Sequence, residues 1–120
     1  MKEREKLLRK LNNAFAECDV NFLAKSVIDE IQWEIVGEKT ISGRQEFEKA
    51  LERMKVGGAM DIKVRNLLIH EEQAVVEGIV EFNVEPGKKR KYAFCDIYLF
   101  SESGNKVKEL RTYVTQIKKA

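Results

Sequence analysis

The chain has 120 residues, enough for one domain spanning 1–120 and for burial of roughly two thirds of the surface its unfolded form would expose. Hydrophobic residues at 43% and charged ones at 35% mark a globular rather than a disordered composition. The 22 basic and 20 acidic side chains are mixed along the chain and leave a net charge of +2, which excludes the strong positive field of a nucleic-acid binder.

The opening run Met1-Lys2-Glu3-Arg4-Glu5-Lys6 is charged and leads into an interrupted apolar pattern. Neither a signal peptide nor a membrane span is expected, and a cytoplasmic location follows by default. Leu7, Leu8, Leu11, Ala14, Phe15 and Cys18 recur at three- and four-residue spacing, the stripe of an amphipathic helix over about Glu3 to Cys18. Asp19 and Asn21 are placed to cap a second, shorter helix with Phe22, Leu23 and Val27 on its apolar face, closed by Asp29-Glu30. Ile31 to Val36 alternates as a strand until Gly37, and Glu38-Lys39-Thr40 reads as a loop. Ser42 with Gln45 three residues on has the capping-box pattern. Phe47, Ala50, Leu51 and Met54 then continue at helical spacing until Gly57-Gly58.

From Asp61 onward the period changes to two. Strands are expected at Ile62 to His70, Gln73 to Val84, Arg90 to Phe100 and Lys106 to Ile117, with turns at Glu71-Glu72, Pro86-Gly87 and Ser103-Gly104-Asn105. Connections this short join antiparallel neighbours, and helices followed by a meander define an α+β class in which helices cover one face of a sheet. Between Gln73 and Val84 one face is dry (Val76, Gly78, Val80, Phe82) and the other wet (Glu77, Glu81, Asn83). The next strand breaks that rule. Tyr92, Phe94, Tyr98 and Phe100 share a face with Asp96, while Ala93, Cys95, Ile97 and Leu99 fill the other. Two apolar faces imply a covering subunit, so a homodimer is expected.

Asp96 is the residue least in keeping with its surroundings. A carboxylate inside Phe94-Cys95-Asp96-Ile97-Tyr98 loses hydration on burial, which raises its pKa and yields either a protonated hydrogen-bond donor or a base poised near neutral pH. The competing reading pairs it with Arg111, Arg65 or Tyr113 as a structural tie. Glu34 is the second candidate acid/base residue. Simple alternation directs Trp33 inward and Glu34 outward, and a bulge or bend near Gly37 would reverse this. Phe15, Trp33, Phe94 and Tyr98 are the expected walls of an apolar pocket for a small hydrophobic ligand.

Cys18 and Cys95 sit among apolar neighbours without CxxC spacing and read as buried free thiols. With His70 the sole histidine, no metal and no cofactor are expected. Lys88-Lys89-Arg90-Lys91 follows Pro86-Gly87 as a solvated hairpin tip with no interleaved aromatics, so no nucleic-acid partner is assigned to it.

Asp19-Val20 with its short helix, Trp33-Glu34-Ile35-Val36-Gly37, Ser42-Gly43 opening a helix, and Asp96-Ile97-Tyr98-Leu99-Phe100 through Gly104 and Val107 to Tyr113 together carry a resemblance over nearly the whole chain. In their order and spacing they resemble the SnoaL-like and ketosteroid-isomerase-like branch of the nuclear transport factor 2 superfamily. The resemblance implies a cone: a long helix, short helices and a strongly curved, mainly antiparallel sheet around a deep pocket, commonly paired into dimers. It also implies a general-base carboxylate in the segment Glu34 to Gly37 and a protonated acid at Asp96. The departure is on the first helix. Where ketosteroid isomerases hold the enolate oxygen with a tyrosine, the matching position is Ala14, with Phe15 beside it, so steroid isomerisation is not expected. Two functions stay open: acid/base isomerisation, cyclisation or dehydration of a small hydrophobic carbonyl compound, and a non-catalytic dimeric ligand-binding or interaction module.

Overall fold

A computed structural model describes residues 2–102 and 105–118. The chain runs α1 (Lys2–Glu17), α2 (Val20–Lys25), β1 (Val27–Ile35), β2 (Lys39–Ser42), α3 (Arg44–Lys55), β3 (Asp61–His70), β4 (Gln73–Glu85), β5 (Lys88–Phe100) and β6 (Val107–Gln116). The strands form one sheet in the order β2-β1-β6-β5-β4-β3, antiparallel throughout except where β1 runs parallel to β6. Ser103 and Gly104 of the expected β5–β6 turn lie outside the described residues. No helix among them is long and apolar enough to cross a membrane.

Three local expectations need correction. The second helix ends at Lys25, not at Asp29-Glu30, because the Ser26 hydroxyl donates to the Phe22 carbonyl and the β-branched Val27 pairs with Val107. Strand β1 therefore begins four residues earlier than its alternation suggests. The stretch Lys39 to Ser42 is an edge strand rather than loop, pairing from Ile35↔Lys39 to Gln32↔Ser42. Its single apolar residue, Ile41, gave no alternation to read. Ser42, held in that pairing with its hydroxyl on Gln32 Oε1 at 2.9 Å, does not cap α3. The cap residue is Gly43, whose φ of 86° favours glycine and turns the chain from strand into helix. Asp19 does cap α2, its Oδ1 accepting from the Phe22 amide at 3.1 Å.

Curvature comes from bulges. The β3–β4 register slips between Val64 and Asn66, and further slips occur between Asn83 and Glu85 and between Leu99 and Phe100. At the first slip Arg65 and Asn66 both reach Glu77, with Arg65 Nε at 3.1 Å and Asn66 Nδ2 at 2.8 Å. Those contacts draw the Glu77 carboxyl below its usual pKa. One strand over, a side chain at Gly78 would collide with the Lys63 carbonyl, so only glycine lets β3 bend this closely over β4.

The concave face of the sheet and the helices enclose the core. Tyr98, Phe47, Phe100, Leu8, Leu11, Leu23, Ile31 and Leu51 are fully buried there, each large apolar side chain contributing about 1.5–3 kcal/mol. Backbone and side-chain ties fix α1 across the cone. The Met60 amide donates to the Ala16 carbonyl at 2.8 Å, Arg4 donates to the Glu71 carbonyl at 2.7 Å, and the same guanidinium lies 4.4 Å from the centre of the Phe100 ring.

Candidate functional site

Alternation along β5 places Tyr92, Phe94, Asp96 and Tyr98 on the concave face. Beyond the packed core, toward the open end of the cone, that face borders a cavity of about 450 Å³, a size that suits a small organic molecule. Phe15 from α1, Trp33 and Ile35 from β1, Phe82 from β4 and Phe94 from β5 supply its apolar wall. Trp33 is held by two ring contacts, to Phe15 at 5.9 Å and to Phe47 at 5.6 Å between centroids. Phe82 and Tyr92 stack at 5.2 Å with an interplanar angle of 5°.

Asp96 opens onto this cavity and has no basic partner. Its Oδ1 is fully buried and makes no hydrogen bond. Both arginines that could have tied it down are engaged elsewhere: Arg65 with Glu77, and Arg111 with Glu34 at 3.4 Å. Tyr113 pairs with Cys95 on the opposite, outer face and is 43% exposed, so it offers no tie either. Burial pushes the Asp96 carboxyl up to about 7, and the hydroxyl of Thr112, its cross-strand partner on β6, pulls in the other direction without offsetting that rise. The result is an acid divided between its two protonation states near neutral pH.

Glu34 is not part of this site. The register of β1 against β6 shifts between Val27 and Gln32 but is unbroken from Gln32 to Ile35, and the Glu34 carboxylate points to the convex face with Arg111. There it lines a separate groove with Gln32, Thr40 and Ile97. Tyr98 also departs from expectation. It is fully buried in the core between sheet and helices rather than in the cavity wall, and its hydroxyl has no hydrogen-bond partner. Phe15, Trp33 and Phe94 do line the cavity.

Four polar groups in the wall were not singled out by the sequence: Asn12, Glu38, Tyr92 and Thr112. Asn12 was legible, since it stands four residues after Leu8 and three before Phe15, on the buried stripe of α1. Its Nδ2 donates to the Leu8 carbonyl at 3.1 Å, leaving the rest of the amide for the cavity. Asn12, rather than Ala14, is thus the polar group that α1 presents. Glu38 follows the β1 strand in the turn to β2 and is the second carboxylate of the wall. Among the described residues no three His, Cys, Asp or Glu side chains gather as a metal site would need.

A curved sheet closed by helices over an apolar cavity with one buried acid defines a cone-shaped pocket protein. Several solved structures share its fold. An NTF2-like protein of unknown function from Cytophaga hutchinsonii matches with a TM-score of 0.75 and 23% identity, over 92% of this chain and 98% of that one. An LEH-like epoxide hydrolase of M. tuberculosis matches with a TM-score of 0.83 and 16% identity, over 96% of this chain and 84% of that one. A protein described as a SnoaL-like polyketide cyclase from Shewanella putrefaciens matches with a TM-score of 0.84 and 16% identity, over 95% of this chain and 80% of that one. The fold is the NTF2-like one that these solved structures share. No protein-family model and no curated protein matches the sequence.

Proposed function

We propose that this protein performs acid/base chemistry on a small hydrophobic carbonyl compound bound in the cone, an isomerisation, cyclisation or dehydration, with Asp96 as the essential acid. The observation that carries this reading is the buried Asp96 carboxyl, with no basic partner and with Oδ1 free of any hydrogen bond, in a mainly apolar cavity. A structural ion pair would have shown an arginine there. In its protonated form Asp96 donates a hydrogen bond to the carbonyl oxygen. As electron density moves onto that oxygen the bond strengthens, which is where such a donor lowers the barrier. Glu38 replaces Glu34 as the base that removes and returns a proton on the neighbouring carbon. The likeness in fold to an LEH-like epoxide hydrolase and to a protein described as a SnoaL-like polyketide cyclase supports a pocket of this type.

A panel of enolisable ketones and β-keto esters tests the reading by proton exchange with deuterated water at the carbon beside the carbonyl. E38Q is expected to slow exchange about 10²-fold or more, the usual contribution of a general base. E34Q, altered on the convex face, is expected to leave it within a factor of two. Equal losses in both variants, or exchange no faster than in buffer, would remove the enzyme reading. Ligand binding without exchange would leave the protein a non-catalytic binding module, the reading favoured by the exposure of Glu38 at the mouth.

The convex face supports a homodimer. Leu68 is 64% exposed and Tyr113 43% exposed there, beside the half-buried Val75, Ile79, Cys95, Ile97 and Leu99. The charged pairs Arg65 with Glu77 and Arg111 with Glu34 flank this strip, so each copy presents both signs to a two-fold mate. Sedimentation is expected to give a dimer at micromolar concentration, and I97E a monomer with unchanged circular dichroism. A monomeric wild-type chain would rule the pairing out.

A further inference from the structure

We propose that Thr112 is the positioning residue of the pocket acid: held as an acceptor by the Trp33 indole, its hydroxyl has one proton left and directs it to the Asp96 carboxyl. The inference rests on reading Asp96 as that acid. Trp33 Nε1 donates to Thr112 Oγ1 at 2.9 Å, and an indole N–H can only donate. The Thr112 hydrogen is therefore turned away from Trp33. Thr112 is the direct cross-strand partner of Asp96, both on the concave face and both in the cavity wall. Trp33 in turn is locked between Phe15 and Phe47, and two residues along β1 the pair Ile35↔Thr112 ties β1 to β6.

The consequence is directional. With the Thr112 hydroxyl donating to the carboxyl, one Asp96 oxygen is an acceptor in every protonation state. The dissociable proton is left to the other oxygen, and the carboxyl is confined to one rotation about its terminal bond. An acceptor that reaches that oxygen meets a donor already aimed, with no reorientation of the carboxyl. The chemistry favoured is a neutral acceptor oxygen, such as a ketone or ester carbonyl, on an apolar body.

The remaining ionisable groups around the cavity are Glu38 and Tyr92 in its wall and Tyr98, next on that face of β5, whose hydroxyl is pushed up by burial and then by the Asp96 charge. Behind the strand, the Glu34 with Arg111 and Glu77 with Arg65 pairs lie on the other face. None of them supplies the hydrogen bond that Thr112 does.

The test is the titration of Asp96 followed by carboxyl carbon NMR, which needs no substrate. T112V removes the donor with little change of shape and is expected to raise the midpoint by about one pH unit, the worth of one hydrogen bond to a charged group. T112S, which keeps the hydroxyl, is expected to restore the wild-type midpoint. W33F, which releases Thr112 from its acceptor role, is expected to raise the midpoint by less than T112V does. A T112V midpoint equal to or below wild type would overturn the proposal, as would failure of T112S to restore it. A wild-type midpoint near the ordinary carboxyl value would instead sink the pocket-acid reading itself, so the two failures are distinguishable.

Discussion

At pH 8, D96N is expected to be more stable than the wild-type chain and to have lost the activity. The Asp96 carboxyl is pushed up from 3.8 to about 7 by burial. Across that interval the folded chain binds more protons at this position than the unfolded one. Its contribution is therefore complete below about pH 4, falls as pH rises through 7 and is level above. A gap of roughly three pH units corresponds to about 4 kcal/mol, a large fraction of the stability of a domain this size. An amide stays neutral, accepts from Thr112 as the acid does, and forgoes that loss. Urea unfolding at pH 5 and pH 8 checks this: the wild type should weaken between the two while D96N stays level. Glu77 does not confuse the reading, because its lowered pKa places its own contribution at the acid end, lost as pH falls below the carboxylate range. The same substitution removes the donor to the carbonyl oxygen as an acid, with an expected loss in turnover of about 10²–10⁴-fold. A wild-type chain equally stable at both pH values would show that Asp96 is not desolvated.

Such a trade, stability given up at neutral pH for an acid held near its working range, is common where a site departs from the pattern of its strand. That departure is also what made Asp96 legible. Period-two alternation along β5 fixed its neighbours and its face, and the sheet has the register the pattern requires. The same alternation placed Trp33 inward and Glu34 outward, and the structure agrees on both. The general base implied by resemblance pointed to the segment Glu34 to Gly37, but the carboxylate in the wall belongs to Glu38, one residue beyond it. Its place is set by the β1–β2 turn, and that turn exists only because Lys39 to Ser42 pairs with β1, a pairing four mostly polar residues do not announce. Thr112 escaped for a different reason. A threonine among Arg111, Tyr113 and Val114 looks like any strand filler, and its role comes from Trp33, 79 residues away. Tyr98 lies on the face that alternation gives it but deeper than the cavity wall, because alternation gives direction and not depth.

Trp33 separates the wall of the site from the core that carries it, and W33A is expected to cost about 3–5 kcal/mol. The indole is 6% exposed and wedges between Phe15 on α1 and Phe47 on α3. Removing it leaves a void that three elements share, which they can close only by moving together. It also frees Thr112 from the one donor that fixes its hydroxyl. W33F isolates the second effect: a phenyl ring keeps most of the packing, so the expected loss is about 1 kcal/mol, the worth of one neutral hydrogen bond. Denaturant midpoints measure both, and the comparison is informative because the two variants part in function. In W33F the cavity keeps an aromatic wall, so ligand affinity should survive while the titration of Asp96 shifts. In W33A the wall is gone and affinity should fall with stability. If W33F proved as unstable as W33A, the hydrogen bond would outweigh the ring in holding β1 to β6, and Trp33 would be a tie between strands before it is a wall.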